Sequence, residues 1–88
     1  MSDWRAWTEF SEVVPPAAVS LYMEETRQML GDLFDGTRTV EQLVELAWSP
    51  SMFHRLMRVP GVTWSLARQI QYRMVTFITD AGRASGIE

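Results

Sequence analysis

An all-α fold, a compact bundle of about five short helices, is what this 88-residue chain predicts. Three observations carry the prediction. Apolar residues recur at helical rather than alternating spacing almost throughout, capping residues and prolines divide them into five segments, and no stretch alternates as a half-buried strand would. With 47% hydrophobic residues the chain is one domain with a single modest core. We place that domain at residues 1–82 and a flexible C-terminal tail at 83–88.

The first predicted helix lies in "SDWRAWTEFSEVV", where Trp4, Trp7, Phe10 and Val14 form one stripe. Ser2 or Asp3 can cap it and Pro15-Pro16 stop it. Pro16 suits the first turn of a second helix that runs to about Phe34, with Val19, Tyr22, Thr26, Met29, Leu30 and Leu33 at helical spacing. Asp35-Gly36 supplies the turn that ends it. A third helix starts at "TVEQ", where Thr39 and Gln42 have the spacing of a capping box, and buries Val40, Leu43, Val44 and Ala47. Ser49-Pro50 caps and opens a short fourth helix with Phe53, Leu56 and Met57 facing inward. "VPGV" breaks it. The last helix spans roughly Trp64 to Ala81, lined on one side by Leu66, Ala67, Ile70, Met74, Phe77, Ile78 and Ala81, and Gly82 closes it. The β-branched run "VTFIT" continues the helical period and has no partner strand.

Charge is unevenly placed. Residues 1–50 hold nine acids against three arginines, while residues 51–88 hold five arginines against two acids, so the net −3 hides a dipolar molecule. Such asymmetry admits a basic face for an anionic partner, two faces that self-associate into a homo-oligomer, or neutralisation of one half by the other. All eight basic residues are Arg, the better group for phosphate forks and aromatic stacking.

Composition removes several function classes. Without Cys there are no disulfides, thiolate metal sites or thiol catalysis. No apolar run approaches the roughly 18 residues of a membrane span, and the N-terminus lacks the basic-then-apolar layout of a signal peptide. The expectation is a cytoplasmic protein that engages no membrane. His54 is the single histidine and nothing pairs with it at a catalytic spacing. Glu24, Glu25, Asp32 and Asp35 sit on one helix, but without an EF-hand or His-containing pattern they read as a solvated acidic face rather than a metal site. With no phosphate-binding glycine loop, nucleophile elbow or redox motif, the chain is expected to be no enzyme and to need no cofactor.

The stretch "RLMRVPGVTWSLARQIQYR" carries the most information. Written as Leu56-x-x-Val59-Pro60-Gly61-Val62 followed by Ala67, Ile70 and Arg73, it resembles the helix–hairpin–helix motif of DNA repair, recombination and competence proteins. Their hairpin typically reads Leu-Pro-Gly-Ile-Gly. The likeness covers roughly residues 49–74 and departs where the family's second hairpin glycine is Thr63 here. It implies that Pro60 and Gly61 make a tight turn, and that amides at the hairpin and the following helix start contact a phosphate. Arg58, Gly61, Val62, Thr63, Arg68 and Arg73 are then the candidate nucleic-acid-binding residues. The Thr63 hydroxyl would cap the helix or bond the phosphate. A second stretch, "DGTRTVEQLVE", is similar to the Asp-Gly-x-Arg-Thr helix start of small winged-helix peptide-chaperone domains. No strand hairpin follows it, so it reads as a shared turn-plus-cap solution.

Two function classes follow. One is a small non-enzymatic protein associated with nucleic acid through the Pro60-Gly61 hairpin. The other is a regulatory adaptor or inhibitor, of host or phage origin, that meets a larger protein partner with Trp4, Trp7 and Phe10 or with its acidic helix.

Overall fold

The computed structural model describes residues 14–86, all of whose regular elements are helices. The predicted first helix, with its stripe Trp4, Trp7 and Phe10, lies outside the described residues. Four helices follow: α1 (Pro16–Phe34), α2 (Val40–Ala47), α3 (Pro50–Met57) and α4 (Trp64–Ser85). The molecule measures 36 × 30 × 17 Å, so its thinnest dimension is about two helix layers at the usual interaxial spacing.

Each boundary has a local cause. Pro16 occupies the first turn of α1, where a missing N–H costs nothing. At its far end Asp35 accepts hydrogen bonds from the backbone N–H and the hydroxyl of Thr37, and Gly36 takes φ +81°, which turns the chain. The α2 start is a full capping box. Thr39 Oγ1 accepts from Gln42 N–H at 3.2 Å, and Gln42 Oε1 accepts from Thr39 N–H at 2.9 Å. Ser49 caps α3 by accepting from Met52 N–H at 3.1 Å. Thr63 caps α4 by accepting from Leu66 N–H at 3.1 Å.

The core gathers around α4, which touches the other three helices. Ala67, Ile70, Met74 and Ile78 of α4 are fully buried against Ala18, Leu33, Leu43, Ala47 and Leu56. The buried polar Thr26 returns its hydroxyl to the carbonyls of Tyr22 and Met23 within α1, so it satisfies itself.

Three expectations need correction. Helix α4 runs past Ala81 and through a buried Gly82 to Ser85, so residues 83–85 are helix rather than tail; the glycine that closes it is Gly86, at φ +75°. In α3 the inward pair is Met52 and Leu56, while Met57 is exposed. The reason is phase: residues four apart share a face, and the Ser49 cap aims that face at the core. In α4 the expected inward Phe77 is exposed, and Gln71 takes a wholly buried place instead.

Candidate functional site

The hairpin between α3 and α4 is a tight turn. Val62 N–H donates to the Val59 carbonyl at 3.2 Å, with Pro60 and Gly61 at the corners and Gly61 at φ +89°. That is the pattern of a type II turn, in which the third position favours glycine. The close approach that Gly61 permits is made by the chain itself: Pro15 Cγ lies 3.1 Å from where a β-carbon on Gly61 would sit. The amide of Val62 is used within the turn, its side chain belongs to the core, and the Thr63 hydroxyl is used in the cap.

The arginines of the hairpin set separate. Arg58 ends α3 on the surface. Arg68 lies with its guanidinium 4.5 Å from the Phe53 ring centroid and 5.4 Å from that of Trp64, a cation–π arrangement. It also donates to Gln71 Oε1 at 3.2 Å. Arg73 is half-buried on the next part of α4, close enough to Tyr22 to oppose the upward shift that burial imposes on its phenol.

Arg68 and Arg73 meet instead along a groove between α1 and α4, open along its length and about 1160 Å³ in volume. Helix α1 lends it Tyr22, Met23, Arg27 and Leu30; α4 lends it Trp64, Tyr72 and Phe77 beside the two arginines. Its apolar walls are uncovered among the described residues: Met23 is 58%, Trp64 62% and Tyr72 63% exposed. Scattered exposed apolar residues are ordinary; here Met23, Trp64 and Tyr72 line one groove together. Arg27, Arg68 and Arg73 against the single acid Asp80 make the groove basic in a chain whose net charge is −3.

The acidic residues of α1 lie elsewhere. Glu25 pairs with Arg55 of α3 at 2.8 Å and Asp32 with Arg38 at 2.7 Å, around a small cleft of about 170 Å³. Arg55 and Glu25 therefore join the positive and negative halves of the chain across the fold, and their hydrogen bond pushes the guanidinium pKa up. Among the described residues no group of three His, Asp or Glu side chains is placed to hold a metal ion. No described helix is long and apolar enough to cross a membrane. His54 is exposed and its ring lies edge-on to that of Phe53.

The groove is not evident in sequence because Trp64 and Tyr72 fall off the core stripe of α4, Trp64 at its edge and Tyr72 on the far side. Their spacing is the signal that was available: Trp64, Arg68 and Tyr72 succeed one another at four residues, one side of a helix. Comparison with known protein families, with curated proteins and with solved structures finds no match to this chain.

Proposed function

We propose that this chain is a non-enzymatic protein-binding module whose α1–α4 groove receives an amphipathic helix of a larger partner. The observation that carries the reading is the run of exposed Met23, Trp64 and Tyr72 along one open groove. A helix is about 10–12 Å across with its side chains, and an amphipathic one binds by laying its apolar face in such a groove. Small-molecule sites are more enclosed and cover most of their ligand. Trp, Tyr and Arg dominate the energetics of protein interfaces, and Trp64, Tyr72, Arg68 and Arg73 stand together here. The arginines select a helix with acidic flanks.

The test is affinity capture from the native host with nuclease present, comparing the natural chain with Tyr72→Glu. Capture of a defined protein that survives nuclease and is lost in Tyr72→Glu supports the groove. Capture unchanged by Tyr72→Glu contradicts it.

The second reading is phosphate contact at the Pro60-Gly61 hairpin. The Gly61 turn, the Thr63 cap and the positive C-terminal half favour it. Pro15 against Gly61 and the stacked, hydrogen-bonded Arg68 count against it. Its signature is binding to duplex DNA that weakens steeply with salt and falls similarly for unrelated sequences in Arg58→Ala.

A further inference from the structure

An exposed arginine ordinarily keeps most of its rotamer freedom; Arg68 is exposed and yet held on three sides. Its guanidinium lies over the rings of Phe53 and Trp64, which meet edge to face with centroids 6.2 Å apart. One of its N–H groups donates to Gln71 Oε1. Gln71 is itself wholly buried, fixed by its bonds to the carbonyls of Ala47 and Ser49. The contacts thus run from the α2–α3 junction, through a buried amide, to a cation on the wall of the α1–α4 groove.

We propose that Arg68 is the specificity-determining residue of the groove, a pre-set fork for one carboxylate of the bound helix, with Gln71 and Phe53 as its positioning residues. The inference rests on the reading of the groove as a helix-binding site. It adds the side chain that the partner must carry at a fixed place on its helix, an aspartate or a glutamate.

The groups that hold Arg68 are all neutral: two rings and an amide. Aromatic faces attract a cation without cancelling its charge. Arg55 and Arg38 differ, since Glu25 and Asp32 answer their charges within the fold. A guanidinium has five N–H donors in one plane, so the bond to Gln71 leaves others for a carboxylate, which a planar fork meets with parallel bonds.

Holding the fork in advance also raises affinity. A long side chain that becomes ordered on binding loses rotamer freedom, at a cost to the complex. Arg68 is ordered before the partner arrives. The same contacts account for a glutamine on the core stripe of α4: a fully satisfied buried polar network is rigid, and this one ends on the cation that faces the ligand.

The test has two parts, both on the full-length protein. In the free chain, nitrogen NMR reads the rotation of each guanidinium about its Cζ–Nε bond. Arg68 is expected to turn several-fold more slowly than the exposed Arg27 and Arg58, and to lose that difference in Gln71→Leu and in Phe53→Leu. Rotation as fast as theirs in the natural chain overturns the proposal. Phe53→Leu leaves the bonds of Gln71 in place and serves alone if Gln71→Leu does not fold.

Binding is then read with synthetic amphipathic helical peptides of one composition and net charge, which differ only in the position of a single glutamate. One position is expected to bind about ten-fold tighter than the others. That preference should vanish in Arg68→Lys, which keeps the charge and loses the fork. It should weaken in Phe53→Leu, although Phe53 is not part of the groove wall, and persist in Arg38→Lys at the acidic cleft. Equal affinity across the series, or a preference that survives Arg68→Lys, overturns the proposal. Duplex DNA that shifts the Arg68 signals where no peptide does also overturns it and assigns the arginine to phosphate. The two readings fail separately. Peptides that shift the Tyr72 signals but bind with equal affinity remove the inference and leave the helix-binding reading. Peptides that leave Tyr72 unmoved remove that reading, and the inference with it.

Discussion

Helix α4 has two apolar faces, and they differ in how they are finished. On the inner one Ala67, Ile70, Met74 and Ile78 are sealed by the other helices, and the buried Gln71 is fully used. Its amide donates to the carbonyls of Ala47 and Ser49 at 3.0 and 3.1 Å, and its oxygen accepts from Arg68. On the outer face Trp64 and Tyr72 stand exposed beside Arg68 and Arg73. A helix that is apolar on one side needs one neighbour; one that is apolar on two sides calls for a second. The inner face specifies the fold, and the outer one is left exposed among the described residues.

Substitutions can break that contrast. Ile70→Ala, on the sealed face, should cost about 2–5 kcal/mol of stability, through lost burial and the cavity left behind. Tyr72→Ala, two residues on, should change it by about 0.5 kcal/mol or less, as exposed positions do. Denaturant midpoints at constant slope measure both, and equal losses would erase the distinction between the faces. Gln71→Leu removes the donor that ties α4 to the α2–α3 junction and should cost about 1–3 kcal/mol. Unchanged stability would make the buried amide incidental.

Gly61→Ala should cost about 1–2 kcal/mol, the usual penalty for a side chain in left-handed backbone. The 3.1 Å approach of Pro15 leaves the new methyl little room to relax it.

A smaller effect comes from Tyr22, whose half-buried phenol has its pKa raised by burial. The group ionises more readily in the unfolded chain, so its contribution is fully present below about pH 10 and is lost as pH rises through the higher folded value. A urea midpoint steady from neutral to mildly alkaline pH and falling above that, with the fall reduced in Tyr22→Phe, is the expected outcome. The smallest effect is at the Arg55–Glu25 pair, where Arg55 is largely exposed. A double-mutant cycle there should return about 0–1 kcal/mol.

Helix type and most boundaries were legible because they depend on local chemistry. Thr39 with Gln42, Ser49 with Pro50, and Pro16 each fix a helix start from within one turn. Much of the inward faces of α1 and α2 followed from spacing: Thr26, Met29, Leu33, Leu43 and Ala47 are buried as their period implies, whereas Val44 is only half-buried and the fully buried Ala18 lies off the expected stripe. What spacing could not supply is the position of a neighbour. Gln71 sits on the core stripe of α4 by its period, three residues before Met74. Its tolerance there depends on carbonyls of Ala47 and Ser49, more than twenty residues earlier in the chain. Gly82 and Gly86 are both competent helix stops, and only the packing of α4 shows that the first is passed over. For the hairpin, sequence gave the turn and the cap but not Pro15, which comes from the other end of the chain. The charge asymmetry was visible as a sum. That it resolves into a paired cleft at Glu25 and Asp32 and a basic groove at Arg27, Arg68 and Arg73 depends on the crossing of α1 with α4.

Photo-crosslinking from within the α1–α4 groove tests most directly whether it takes a helix of another protein, as proposed. A benzophenone side chain is placed at position 72 in the groove, at 48 on the exposed end of α2, and at 58 beside the hairpin, each in the otherwise natural chain in its host. The expected result is a nuclease-resistant adduct to one protein from position 72, mapped to an amphipathic segment with acidic flanks, and no such adduct from 48 or 58. An adduct to nucleic acid from position 58 with none from 72, or equal protein adducts from 48 and 72, would contradict it.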